Sequence, residues 1–93
     1  MPTIREQIIT LLREGSFNGI ELSQYLSIQE REVYEHLEHI SRTVKRDGMK
    51  IKVSPYVCVA CGYTFKKRDR FDRPGRCPEC KKSHIRMALF TIT

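Results

Sequence analysis

Leu22-Ser23-Gln24-Tyr25-Leu26-Ser27-Ile28-Gln29-Glu30-Arg31-Glu32-Val33-Tyr34-Glu35-His36-Leu37 puts two apolar anchors on one helix, an apolar residue in a tight connection and two more anchors on the next helix. This is the pattern of a helix-turn-helix, in which Ile28 holds the crossing of the two helices from inside. Downstream, Val33, Leu37, Ile40 and Val44 recur at i, i+4, i+7 and i+11, carrying the second of these helices to about Arg46, where Asp47-Gly48 breaks it. Upstream, Thr3-Ile4-Arg5-Glu6 reads as a capping box, and Ile4, Ile8, Leu11 and Leu12 form the stripe of a helix that Gly15 can end. Ser16-Phe17-Asn18-Gly19 is a turn leading into Ile20, Leu22 and Leu26. Three helices therefore precede the first strand signal. A plain three-helix core would show the same periodicity, so the residues after Gly48 decide between the two folds.

From Lys50 the period changes to two. Lys50, Lys52 and Ser54 alternate with Ile51 and Val53, as in a strand that buries Ile51 and Val53, and Pro55 limits it to an edge or a bulge. Near the end, Ile85 and Met87 hold one phase and Phe90 and Ile92 the other, which predicts a bulge at Ala88-Leu89. The two stretches can pair as an antiparallel hairpin, the wing of a helix-turn-helix unit. The polar, turn-rich segment between them is then an insertion at the hairpin tip. The expected fold class is α+β: a winged helix-turn-helix formed by residues 1–55 with 84–93, and a four-cysteine zinc ribbon at 56–83.

Cys58-Val59-Ala60-Cys61 and Cys77-Pro78-Glu79-Cys80 are two Cys-x-x-Cys knuckles separated by 15 residues. Two intervening residues let both sulfurs of a knuckle point at one ion, and a hairpin of this length can bring two knuckles together around a tetrahedral site. Gly62 permits the positive φ such a turn needs, and Pro78 stiffens the second knuckle. Two disulfides would suit an oxidising compartment, and a single redox pair would leave the second knuckle unexplained. The predicted cofactor is one structural zinc ion on Cys58, Cys61, Cys77 and Cys80, with iron the competing metal. Four sulfurs complete the shell, which leaves His84 a surface residue and leaves no open position for a hydrolytic water. The segment from Tyr56 to Ser83 has few apolar anchors (Val57, Val59, Tyr63, Phe65, Phe71), and metal binding of order ~10–16 kcal/mol can offset its ordering entropy.

The chain has 93 residues and a formal charge of +6, distributed unevenly: residues 1–47 carry a net of −2 and residues 48–93 a net of +8. Basic balance favours nucleic acid as a partner. No apolar run approaches the roughly 20 residues of a membrane-spanning helix. The opening Met1-Pro2-Thr3-Ile4-Arg5 has no signal-peptide pattern, so a soluble, cytoplasmic chain with no membrane partner is expected.

The sequence resembles small archaeal winged-helix proteins, predicted transcriptional regulators related to the arsenic-repressor-like class, that carry a rubredoxin-like zinc ribbon in the wing. The residues behind the resemblance are Leu22 through Leu37, Cys58-x-x-Cys61-Gly62-Tyr63 and Cys77-Pro78-x-Cys80. It implies a zinc-binding, DNA-binding domain. Two residues depart from the pattern: Lys81 replaces the glycine usual after the fourth cysteine of rubredoxins, and Ser27 replaces the glycine common in the helix-helix turn.

The third helix complicates the DNA reading, because it bears Glu30, Glu32, Glu35 and Glu38 against Arg31, with Glu35 and Glu38 opposite the apolar stripe. Its expected base readers are Gln29, Arg31 and Tyr34. Positive charge is concentrated in the inserted lobe, where Lys66, Lys67, Arg68, Arg70 and Arg73 are expected to contact phosphate. The function these features predict is a DNA-binding transcriptional regulator, with no enzyme activity. Two alternatives are a module that docks onto a protein of the transcription machinery without reading DNA, and a one-iron electron carrier. Oligomeric state leaves no trace in the sequence.

Overall fold

Helices α1 (Ile4–Glu14), α2 (Gly19–Leu26) and α3 (Glu30–Arg46) precede strands β1 (Ile51–Ser54), β2 (Val57–Cys58), β3 (Ile85–Arg86) and β4 (Leu89–Ile92) in the computed structural model, which describes residues 2–66 and 70–93. The class is α+β, as expected. Each helix boundary has a local cause. The Thr3 hydroxyl accepts from the Glu6 N–H at 3.1 Å while the Glu6 carboxylate accepts from the Thr3 N–H at 3.2 Å, closing the predicted capping box. Asn18 and Glu21 make a second reciprocal box at 2.8 Å each way, which turns the tail of the Ser16–Gly19 turn into the start of α2. Ser27 ends α2 in the left-handed region at φ 57°, and the Ile28 N–H reaches back to the Ser23 carbonyl at 3.0 Å. Gly48 at φ +75° ends α3 similarly, with the Met49 N–H bonded to the Val44 carbonyl at 3.0 Å.

β1 pairs antiparallel with β4, Ile51 opposite Ile92 and Ser54 opposite Leu89, and β2 pairs with β3, Val57 opposite Arg86. Pro55-Tyr56 on one side and Met87-Ala88 on the other fill the gap between the two ladders, two residues against two. The register therefore runs on without an inserted residue, and the predicted bulge at Ala88-Leu89 is absent. Proline has no N–H to give to a ladder, so the pairing pauses there. The change of phase marks a change of buried face: Ala88, Phe90 and Ile92 are buried, while Ile85 and Met87, half-buried, fall on the alternate side.

A further strand-like contact was invisible to periodicity. Phe17 and Phe90 exchange backbone hydrogen bonds of 3.0 and 2.8 Å, so the α1–α2 connection adds a one-residue rung to the outer edge of β4. Val53 was expected to be buried and is 39% exposed. It shares a face with Phe90, but Phe90 fills the core while Val53 stands at the rim of a cavity between hairpin and ribbon.

The core joins Ile8 and Leu12 of α1, Leu22 of α2, Val33, Leu37, Ile40 and Val44 of α3, and Phe90 and Ile92 of β4. The cysteine-bearing segment is fastened to it by Tyr56, which is buried and donates its hydroxyl proton to the Phe71 carbonyl at 2.6 Å. The Phe71 ring in turn meets Phe90 edge-on, centroids 5.8 Å apart. Among the described residues, no helix is long and apolar enough to cross a membrane.

Candidate metal centre and the ribbon around it

The two knuckles are built alike. In the first, the Gly62 N–H donates to the Cys58 carbonyl at 2.8 Å and the Cys58 N–H to the Tyr63 carbonyl at 2.8 Å. In the second, the Lys81 N–H donates to the Cys77 carbonyl at 3.0 Å and the Cys77 N–H to the Lys82 carbonyl at 2.9 Å. Residue for residue the scheme repeats, and the position after the second cysteine of each pair has positive φ, +82° at Gly62 and 64° at Lys81. β2 and β3 hold the knuckles face to face, with the Val59 N–H bonded to the His84 carbonyl at 2.9 Å.

The sulfurs of Cys58, Cys61, Cys77 and Cys80 consequently lie within 4.8 Å of one another. Two approaches cross between knuckles, 3.5 Å from Cys58 to Cys80 and 3.6 Å from Cys61 to Cys77. A tetrahedron with metal–sulfur bonds near ~2.3 Å has edges of about 3.8 Å, close to the two cross-knuckle separations and inside the 4.8 Å bound of the set, so the donor set suits one ion. The same separations are far beyond an S–S bond of about 2.0 Å, and all four cysteines are free thiols. The structure thus brings together the complete predicted ligand set. His84 stays exposed, and no histidine joins the cluster among the described residues.

The thiols are unequal. Burial works to raise the Cys58 thiol, but N–H groups of Cys61 and Ala60 and the sulfurs of Cys80 and Cys61 favour its thiolate and bring it down to about 7. At Cys61 the Tyr63 N–H favours the thiolate, yet burial and the neighbouring sulfurs of Cys77, Cys58 and Cys80 together push it up to about 12. One anion is readily held in the cluster and further anions repel it, so a divalent cation is what would let all four sulfurs charge.

Of the predicted nucleic-acid contacts, Gln29 and Arg31 are exposed at the start of α3, where Gln29 occupies the N-cap position. Tyr34, the third expected reader, is buried in the packing between α2 and α3. It is 8% exposed, its hydroxyl donates to the Glu30 carboxylate at 2.5 Å, and its ring closes against Gly19. Burial, then the hydrogen bonds to Glu30 and Tyr56, hold the Tyr34 phenol far above its ordinary range, so it stays protonated. The residue lies three positions before Leu37, on the flank of the apolar stripe, and that spacing was the signal for a core role.

In the ribbon, Lys66, Arg70 and Arg73 are exposed, and Arg73 forms an ion pair with Glu30 of α3 at 3.2 Å. Lys67 and Arg68 lie outside the described residues. Across the groove beside α3, Arg70 and Asp72 face Arg31, Glu35 and Glu38. Val59, expected to anchor the segment, is 68% exposed, and Tyr56 does that work instead.

Comparison with known proteins agrees with this architecture. A family model described as PF0610-like, N-terminal, matches residues 3–52, which span the three helices and the start of β1. None of the curated proteins matches the chain. Among solved structures, the solution NMR structure of protein PF0610 from Pyrococcus furiosus superimposes with a TM-score of 0.84 at 35% sequence identity, over 97% of this chain and 88% of that one. The family model stops before the cysteines, whereas the structural likeness runs through them.

Proposed function

The chain belongs to the PF0610-like family, and we propose that it is a winged helix-turn-helix protein that binds duplex DNA and regulates transcription, with one structural zinc ion on its four cysteines. The observation that carries the reading is the Arg73–Glu30 contact, which ties the cationic ribbon to the first turn of α3. Helix start and ribbon then form one side of the molecule, the arrangement needed for a helix in the groove and a wing on the backbone. Gln29 and Arg31 supply side chains for base edges, and Lys66 and Arg70 supply charge for phosphates.

When bound, the metal supplies a rigid four-coordinate node and no reaction chemistry, because four sulfurs leave no position for substrate. The reading accordingly assigns no enzymatic step and a cytoplasmic site of action. Duplex titrations across a salt series test it. The logarithm of affinity should fall linearly with the logarithm of salt concentration, and Arg31→Ala should narrow the spread of affinities among duplex sequences. Absence of duplex binding at low salt would sink it. A second reading, docking onto a protein of the transcription machinery, is favoured by the exposed Glu35 and Glu38, which phosphates would repel.

A further inference from the structure

Beyond the metal site, the ribbon carries a cleft of about 580 Å³, within the ~300–1,000 Å³ of ligand pockets, that the four cysteines do not occupy. Two aromatic rings, Tyr63 and Phe65, stand in its wall edge to face with centroids 4.9 Å apart. Lys66, Arg70, Arg73 and Arg76 surround them, with Asp72 the one acidic residue among the described lining. Arg73 is engaged by Glu30, which leaves Asp72 facing three other cations.

At Gly75 and Arg76 this cleft meets a second one of about 320 Å³, whose lining includes Lys81, Lys82 and His84 and, among the described residues, no carboxylate. A basic track therefore runs from the aromatic pair across the ribbon past the second knuckle. Neither ring is spent on the metal, since Tyr63 contributes only backbone groups to its knuckle.

We propose that this aromatic and cationic cleft binds single-stranded nucleic acid, with a base stacked on the Tyr63 ring, which the perpendicular Phe65 ring props edge to face, and the adjoining phosphates following Arg76 toward Lys81 and Lys82. Stacking needs a base withdrawn from the duplex, because every face of a paired base is covered by its neighbours. Flanking cations serve the backbone irrespective of sequence. The acidic exposed face of α3 points the same way, as it disfavours seating the molecule deep in a duplex groove while the ribbon remains accessible. A deoxyribose and a ribose strand share this chemistry, and the test separates them. The inference shares the basic ribbon with the proposed duplex binding but does not depend on it.

Gly75 provides a clean probe: a Cβ built there meets nothing within 4 Å, so Gly75→Glu adds a negative charge where the two clefts join without disturbing packing. Fluorescence anisotropy of the metal-loaded protein with labelled twelve-nucleotide oligo-dT, oligo-U and a duplex of equal length is the measurement. The single strands should bind about tenfold or more tighter than the duplex, with the dT-to-U ratio identifying which sugar is preferred. Tyr63→Leu, which keeps an apolar side chain but removes the ring, should cost about tenfold in single-strand affinity and leave duplex affinity within twofold. Gly75→Glu should weaken single-strand binding and flatten its salt dependence. Metal content and circular dichroism of both variants should match the parent. Equal or tighter binding of duplex, no binding of either strand, or an unchanged single-strand affinity in a folded Tyr63→Leu protein would each overturn the proposal, and the first of these would leave duplex regulation standing.

Discussion

The helical body and the ribbon share one hairpin but are stabilised by different means. In the body, nine side chains from three helices and β4 interlock out of water, so no single contact is indispensable to its identity. In the ribbon, order converges on four sulfurs within 4.8 Å, helped by Tyr56 and Phe71, which reach back to the body. Distributed burial fails by degrees, whereas a coordination node fails at once. With an ion on the four sulfurs, the contrast predicts that the body keeps its helices when the ion is removed and the ribbon loses its order.

The largest test of that contrast is to remove the node. Replacing Cys77 with Ser, or stripping the metal with a strong chelator, forfeits binding energy of order ~10–16 kcal/mol from the ribbon alone. Amide NMR signals of residues 57–84 should collapse toward random-coil values while the helical circular dichroism largely persists. Acidification should give the same result, because protons compete with the ion for the thiolates. Loss of the helical signal together with the ribbon would show that the two regions fold as one.

Phe90 is one of the places where the two regions touch. It is fully buried, pairs with Phe17 through the backbone and meets Phe71 of the ribbon. Phe90→Ala should cost about 3–5 kcal/mol in denaturant unfolding and loosen ribbon and body alike. Val59→Ala, at 68% exposure on the first knuckle, should change stability by less than about 0.5 kcal/mol. A large effect at Val59 would mean that the ribbon has an apolar core of its own.

These contrasts explain what could and could not be read from the sequence. The cysteine cluster was legible because its geometry is local: two residues between sulfurs and one tight turn specify each half of it. The helices were legible from their stripes and caps. Phe17 was not, because a single rung against β4 has no period. The misplaced bulge at Ala88-Leu89 arose because a shift in hydrophobic phase has two causes, an inserted residue or a change of buried face, and only the pairing of β1 with β4 and β2 with β3 separates them. The spacing of Tyr34 before Leu37 allowed a core role, but the partners that enclose it come from elsewhere in the chain, Gly19 on α2 and Tyr56 before β2, and no local pattern announces them.

Gly19 shows how tightly that packing is drawn. A Cβ there would sit 2.6 Å from carbon atoms of the Tyr34 ring. Alanine normally stabilises a helix over glycine by up to about 1 kcal/mol, but here Gly19→Ala should destabilise by about 1–3 kcal/mol, as overpacking does. The effect should appear in the melting of the helical body and leave metal affinity unchanged. A stabilised variant would show that Tyr34 can swing outward, restoring it as a candidate base reader.

The smallest expected effect makes the finest comparison, because Ser27 and Lys81, which stand where glycine is usual in the patterns the sequence resembles, are also the two non-glycine residues with positive φ among those described. Ser27 at 57° ends α2 and Lys81 at 64° closes the second knuckle. Left-handed backbone costs a non-glycine residue about 1–2 kcal/mol, and glycine returns part of that through its greater freedom in the unfolded chain. Ser27→Gly should therefore stabilise the body by about 0.5–1 kcal/mol, read as a rise in the melting of the helical signal. Lys81→Gly relieves the same strain but also deletes the 3.0 Å bond from its ammonium to the Pro78 carbonyl, so its gain should be smaller. That gain should register as tighter metal retention in a chelator competition, with the helical melt unmoved. If Lys81→Gly instead raises the melting of the helices, strain in the knuckle is transmitted through the hairpin and the two regions are more strongly coupled than their contacts imply.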